Sequence, residues 1–480
     1  MKAEKLAGLK PEAVFAYFEK LCSIPHGFHN TKQISDYLVS FAKGQGLRYL
    51  QDEANNVIIF KDASAGYESH EPVILQAHMD MVCQKNDGVV IDMEKEPVDV
   101  THDGQYVFAK GTTLGADDGI GVALCLALLA DNEVSHPPLE VIITADEEVG
   151  LIGANAIDLS MLKGRRMLNL DTPYDHVFNV GCGGGARVAM ELPVNAAPYA
   201  GNRVRLTLEG LHGGHSGSQI GKNYANANKA MAALLDMLRK SVDFRLVQLS
   251  GGVAGNVIPS ASQAVIALEK VDPETITGIC RSFTARLKQT SDEPNAVLMP
   301  ALLSEKEGTA LTAESTAQVI DFLMALPNGV QQWSPDFKEL PLTSLNLGVV
   351  ELKESLQILT AVRSGANQNR QQLQNTLKDL ALEYGCAHSE SGIYSAWEYR
   401  KDSPLRDTLV RLYERRNGAS PVVRVVHAGL ECGVLSEKLP GLDCVSMGPN
   451  ALEIHTTRER LDIASTGRTY EFLQEILKAL

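Results

Sequence analysis

The chain has 480 residues, and 44 lysines and arginines stand against 59 aspartates and glutamates for a formal charge of −15. A chain of this length makes about three domain-sized units, or two large ones, and buries a core without disulfide staples. The acidic balance, with no basic run, excludes nucleic acid as the main partner. The longest apolar run, Gly119 to Ala130, is too short to span a bilayer.

The amino-terminal MKAEKLAGLKPEAVF lacks the apolar centre of a signal peptide and reads as the start of an amphipathic helix. Pro11–Leu21 predicts a helix with Phe15, Phe18 and Leu21 on one face. Thr31 can cap a second, carrying Ile34, Leu38 and Phe41. Val57–Phe60 and Val73–Ala77 read as strands, Asp117–Ala130 as a Gly- and Ala-rich helix, and Leu139–Ala145 and Met167–Leu170 as buried strands. This alternation predicts an α/β domain whose mostly parallel sheet is covered by helices on both faces.

The texture changes after Gly181. Strands are expected at Val204–Leu208, Phe244–Leu249 and Ala264–Leu268, with helices near Asn228–Leu238 and Glu274–Leu287. A similar order recurs in strands Ser344–Val350 and Leu356–Val362 and a helix near Gln371–Leu382, so this α+β region reads as an insertion, with a duplicated unit inside it. From Trp397 the first texture returns: helix Pro404–Arg415, strands Val422–Val426 and Cys444–Met447, and a terminal helix near Thr469–Leu480. The expected organisation is a catalytic domain in two parts, 1–186 and 397–480, split by an inserted domain, 187–396. Eight cysteines are scattered without a CxxC pair, as expected for free thiols in a reducing cytoplasm.

Four segments carry candidate chemistry. LQAHMDM holds His78 and Asp80, two apart on a strand and so on one face; LGADDGIG holds Asp117 and Asp118 at a helix entry. TADEEVG holds Asp146, Glu147 and Glu148 after a strand, and LNLDT holds Asp171 after another. Open α/β sheets place sites at the carboxyl ends of their strands. So many acids at one edge raise one another's pKa unless cations neutralise them. Two divalent ions would do so, and a histidine–carboxylate set suits zinc, with cobalt or manganese as alternatives. A single acid at a strand end is more often a turn or cap residue; it is the ordered set that points to metal. GCGGGA at 181–186 lacks GxGxxG spacing and precedes the strand-like RVAMEL, so it reads as a boundary turn rather than a dinucleotide loop.

With these segments the chain resembles the co-catalytic zinc peptidase superfamily that includes carboxypeptidase G, peptidase T, peptidase V and the carnosinases, most of all the aminoacyl-histidine dipeptidases. SIPH (23–26), VILQAHMDMV (73–82), KGTTLGADDGIG (110–121), GLHGGHSG (210–217), NANKA (226–230), NVIP (256–259), PNGV (327–330) and HAGLECG (427–433) carry the resemblance over nearly the whole chain.

The resemblance implies a three-layer αβα catalytic domain with an inserted lid. It also implies metal-dependent hydrolysis of dipeptides, with Xaa-His substrates such as beta-alanyl-histidine preferred. His78 and Asp171 would hold one ion, Glu148 and His455 the other, and Asp117 would bridge them. His455 is followed by Thr-Thr where Ser-Pro is usual, and His427 is its rival. Glu147 resembles the general base and Asp80 would steady His78, while Asp118 and Asp146 read as cap or solvated residues. In the lid, His215 matches the histidine that stabilises an oxyanion, with His212 as a decoy. Asn256 and Arg363 resemble groups that hold the substrate carboxylate, and Glu431 a substrate-pocket residue. In relatives with a single lid unit a partner subunit supplies the histidine; a duplicated lid would supply it within one chain. A small peptide is the expected partner, and both a homodimer and a monomer stay open. The competing readings are a broader aminopeptidase or tripeptidase, an N-acyl amino acid deacylase, and a metal-free peptide-binding module; the complete set of ligands and base argues against the last.

Overall fold

The computed structural model describes residues 5–270 and 272–480. The chain forms two compact units: Met1–Gly181 with Tyr399–Val425 and Leu430–Leu480, and Cys182–Glu398 with Val426–Gly429. Relative to the boundaries read from sequence, 182–186, 397–398 and 426–429 fall in the second unit.

The first unit is built on an eight-stranded sheet in the order Arg48–Gln51, Val57–Lys61, Leu139–Thr144, Val73–His78, Arg166–Asn169, Asp443–Ser446, Val177–Cys182, Val422–Val426. Its four middle strands, from Leu139–Thr144 to Asp443–Ser446, run parallel. The pairings flanking them are antiparallel, which corrects the mostly parallel expectation. The cause is local: the hairpin at 52–56 returns Val57–Lys61 against Arg48–Gln51, so an antiparallel pair is added to the parallel centre. Val73–His78, Leu139–Thr144 and Asp443–Ser446 are buried at every position, as expected of parallel strands covered on both faces.

The helix Glu12–Cys22 buries Val14, Phe15, Phe18 and Leu21, and Gly119 lets the helix Ala116–Ala130 approach the Phe18 ring, which a Cβ there would meet at 3.4 Å. Regular helical geometry in Ala116–Ala130 starts only at Gly119, because Asp117 and Asp118 have non-helical backbone angles. Thr31 does precede the helix Lys32–Gly44, but its hydroxyl makes no cap bond and accepts from Asn55 instead. The terminal helix begins at Ile463, where Asp462 accepts from the Ser465 N–H as a side-chain cap.

The second unit contains a nine-stranded antiparallel sheet. Two halves of it share the order β-α-β-β-α-β. One half is Asn202–Glu209, helix Ala227–Leu238, Arg245–Gly251, Ser262–Leu268, helix Pro273–Thr290 and Val297–Leu302. The other is Gly184–Pro193, helix Ala313–Ala325, Pro341–Leu352, Ser355–Ser364, helix Asn367–Glu383 and Ala387–Tyr394. Numbered within each half, the strands lie in the sheet as fourth, first, third, second in both, and the halves meet through their second strands at Ser250–Gly251 and Val350–Glu351. The duplication is therefore one of topology, with the first half inserted after the other half's first strand. Asn226 caps the helix Ala227–Leu238 and donates to Asn328, Asn346 and the Leu347 carbonyl. The strings NANKA and PNGV thus serve the join between the two halves.

Candidate active site

In the first unit the parallel strands deliver their carboxyl ends to one edge. His78 ends Val73–His78, Glu147 and Glu148 follow Leu139–Thr144, and Asp171 follows Arg166–Asn169. His455 arrives on the loop between the short strands Ala451–Leu452 and Arg460–Asp462. Asp117 is central: its Oδ1 lies 3.2 Å from His78 Nε2 and its Oδ2 lies 3.1 Å from His455 Nε2. On one side Asp171 Oδ1 stands 4.0 Å from His78 Nε2; on the other Glu148 Oε1 stands 2.8 Å from His455 Nε2. That last pair is not aligned as a hydrogen bond, and Glu148 Oε1 has no hydrogen-bond partner among the described residues although it is buried. Converging donors with an orphaned buried oxygen are what a bound cation explains. Donor atoms of Asp117, Glu148 and His455, of His78, Asp118 and Asp171, and of His78, Glu147 and Glu148 each cluster within 4.8 Å. The chemistry of this set fits divalent ions.

The electrostatics match. The hydrogen bond to Asp117 and the adjoining Glu148 carboxylate push His455 up to about 10. Burial opposes charge on His78, but Asp117, Asp80 and Asp171 outweigh it and raise its pKa. Burial drives the carboxyls of Glu147 and Asp171 up, helped by their acidic neighbours.

Asp80 lies just past the end of its strand and is fully buried. The His78 ring meets the Asp80 backbone carbonyl at 3.0 Å and its carboxylate at 3.5 Å. The Asp80 carboxylate also accepts the N–H groups of Glu147 (3.0 Å) and Glu148 (3.2 Å), so it organises the loop carrying both glutamates. The solvated reading of two acids is corrected. Asp118 is 2% exposed and accepts the His78 N–H, and its carboxylate stands at the Gly121 N–H in the first turn of the regular helix, the place of a cap; a Cβ at Gly121 would strike it at 2.4 Å. Asp146 is half-buried and accepts the His29 N–H at 2.6 Å. Asp146 and His455 both have positive φ, backbone strain of the kind that collects at functional sites. The Thr-Thr after His455 builds its own turn: the Thr456 hydroxyl donates to the Glu453 carbonyl and accepts the Arg458 N–H.

Glu431 is fully buried, held by Gln76 (2.5 Å) and Thr144 (2.6 Å) on one oxygen, with the other without a hydrogen-bond partner among the described residues; burial raises its pKa to about 7. His427 belongs to the second unit, bonded to Ser344 at 2.7 Å, and is not among the clustered donors.

Within the second unit, Ser216 gathers three residues far apart in sequence. The short strands Gly214–His215 and Val257–Ile258 pair. The Ser216 N–H donates to the Asn256 carbonyl at 2.9 Å, and the Ser216 hydroxyl accepts from Arg363 Nε at 3.3 Å. His215 Nδ1 accepts the N–H groups of Gly217 and Ser218. A neutral ring then carries its proton on Nε2, free to donate. Burial and the nearby Arg363 charge lower its pKa, keeping it neutral. His212 is tethered elsewhere, to Glu293 at 3.0 Å and stacked on Tyr224. Tyr394 went unnoticed in the sequence: its hydroxyl accepts from Arg363 Nη1 at 3.1 Å, and no local pattern marks it.

A parallel-centred α/β sheet with histidines and carboxylates at its strand ends, and an inserted α+β unit, defines a metallopeptidase-type hydrolase. The chain belongs to peptidase family M20/M25/M40, whose model matches residues 74–479. It is a hydrolase acting on peptide bonds. It is 36% identical over 482 residues to the cytosol non-specific dipeptidase of Escherichia coli, covering 99% of each chain. Its structure matches the aminoacylhistidine dipeptidase of Vibrio alginolyticus with a TM-score of 0.93 and 34% identity, over 99% of this chain and 98% of that one. Aminopeptidase PepT from Bacillus cereus shares the fold at a TM-score of 0.57 and 16% identity, covering 98% of each chain.

Proposed function

We propose that this protein is a two-metal dipeptidase that accepts Xaa-His substrates, beta-alanyl-histidine among them. The observation carrying the reading is Asp117, whose two oxygens face two different histidines, each beside a further carboxylate. His78 and Asp171 would hold one ion, His455 and Glu148 the other, with zinc first and cobalt or manganese as alternatives. Two such ions, when bound, would make a water acidic near neutral pH and polarise the scissile carbonyl. Glu147, on the loop that Asp80 anchors, takes the water's proton and hands it to the leaving amine. His215 donates from Nε2 to the carbonyl oxygen as negative charge develops there. Arg363 and Asn256 bind the substrate's terminal carboxylate, a task suited to a guanidinium held in place by Ser216 and Tyr394.

The duplicated topology of the second unit supports a chain that works as a monomer, its first half carrying His215 and Asn256 and its second half Arg363. Full activity at high dilution is expected; strict loss on dilution contradicts it. A cytoplasmic setting is supported by the relative named as a cytosol dipeptidase and by eight free cysteines. Among the described residues no helix is long and apolar enough to cross a membrane. A second reading, a dipeptidase of broad specificity, is favoured by that same relative's name. A panel of beta-alanyl-histidine, other Xaa-His dipeptides, unrelated dipeptides and N-acetyl amino acids decides among them. The highest kcat/KM on Xaa-His supports the first reading, an even profile the second, and turnover of N-acetyl amino acids alone overturns both.

A further inference from the structure

Glu459 is a buried acid that the reaction as described does not use. It is 3% exposed and lies four residues after His455. Its carboxylate accepts the N–H groups of four consecutive residues: Leu114 (2.8 Å) and Gly115 (3.1 Å) on Oε2, Ala116 (2.8 Å) and Asp117 (3.3 Å) on Oε1. The left-handed backbone at Gly115, φ 77, helps turn these groups toward one point. They stand where the helix Ala116–Ala130 begins, the end at which N–H groups lack an intrahelical acceptor, and a carboxylate is the side chain able to satisfy all four.

The consequence reaches beyond capping. One end of this clamp is the backbone of Asp117, whose oxygens face both histidines; the other is the loop carrying His455. We propose that Glu459 is a positioning residue for the metal centre, fixing Asp117 relative to His455 so that one carboxylate can serve two cations. The inference rests on the two-metal reading above. A glutamine at 459 would offer one accepting oxygen and turn an NH2 toward N–H donors, and an aspartate would be one methylene too short to span the turn.

The test is Glu459→Gln. Metal-free wild type and variant are titrated with Zn²⁺ by calorimetry, the melting temperature of each metal-free protein is recorded, and turnover of beta-alanyl-histidine is measured after loading. The expected result is that one of the two ions binds ~10–100-fold more weakly in the variant, and that kcat falls by a similar factor while KM holds. If Glu459→Gln does not fold, Glu459→Asp is measured in its place, with a loss of about tenfold expected. A variant that binds both ions as tightly as wild type overturns the proposal, whether or not its melting temperature falls, because Glu459 is then a structural cap alone. Wild type that takes up fewer than two ions overturns the two-metal reading itself. That failure is visible before any substitution is made.

Discussion

The two units treat the same residue type in opposite ways. In the first unit His78 and His455 sit among carboxylates that raise their pKa values. In the second, burial and Arg363 lower His215, and they take His427 down to about 3. Strand ends that collect Asp117, Glu148 and Asp171 create a field that calls for cations, and under the proposed function histidine would serve there as a ligand. A strap organised by Ser216 around a fixed guanidinium keeps histidine neutral, and there it would serve as a hydrogen-bond donor. A histidine's neighbours, not its presence in a motif, decide which of these jobs it does.

The largest effect should come from the acidic side. Glu147→Gln is expected to lower kcat ~10²–10⁴-fold while the metal content of the purified protein stays that of wild type; near-normal turnover would remove Glu147 from its role. On the cationic side, Arg363→Ala should raise KM for dipeptides with a free carboxylate by ~10–100-fold, the worth of a charge-assisted hydrogen bond. Substrates ending in an amide should be nearly indifferent to the change. Equal losses on both substrate types would mean that Arg363 supports the unit without touching the carboxylate.

Two smaller effects separate framework from chemistry. Asn226→Ala removes a helix cap and three further bonds across the halves of the second unit, and should cost ~1–2 kcal/mol in chemical denaturation without changing metal uptake. Buried His427 has a folded value of about 3, below its ordinary 6.5. The unfolded chain therefore binds the extra proton between those values, and stability is lost as pH falls through that window. His427→Gln should flatten the slope of stability with pH between 6.5 and about 3. Identical slopes in the two proteins would show that His427 is protonated in the folded state.

Much of the first unit could be read from its sequence because apolar runs end abruptly in acids. ILQAH, VIIT and MLNL each stop where His78, Glu147 or Asp171 begins the edge of the sheet. Other features depend on partners distant along the chain. The Glu459 clamp closes over 342 to 345 residues, and the burial of Asp118 follows from the bend before Gly119 and the closeness of Gly121. Tyr394 acquires its place only when its strand pairs beside Gly185. The later-than-observed start expected for the terminal helix had a local signal, the cap at Asp462, that periodicity alone passes over.

The central claim is that Asp117 serves two cations at once. Zn²⁺ titration of wild type and Asp117→Asn, followed by calorimetry and elemental analysis, tests it directly. The account predicts two tightly bound ions per wild-type chain and the loss of tight binding for at least one of them in Asp117→Asn, with the fold intact. Two ions held with unchanged affinity in the variant, or fewer than two in the wild type, would contradict it.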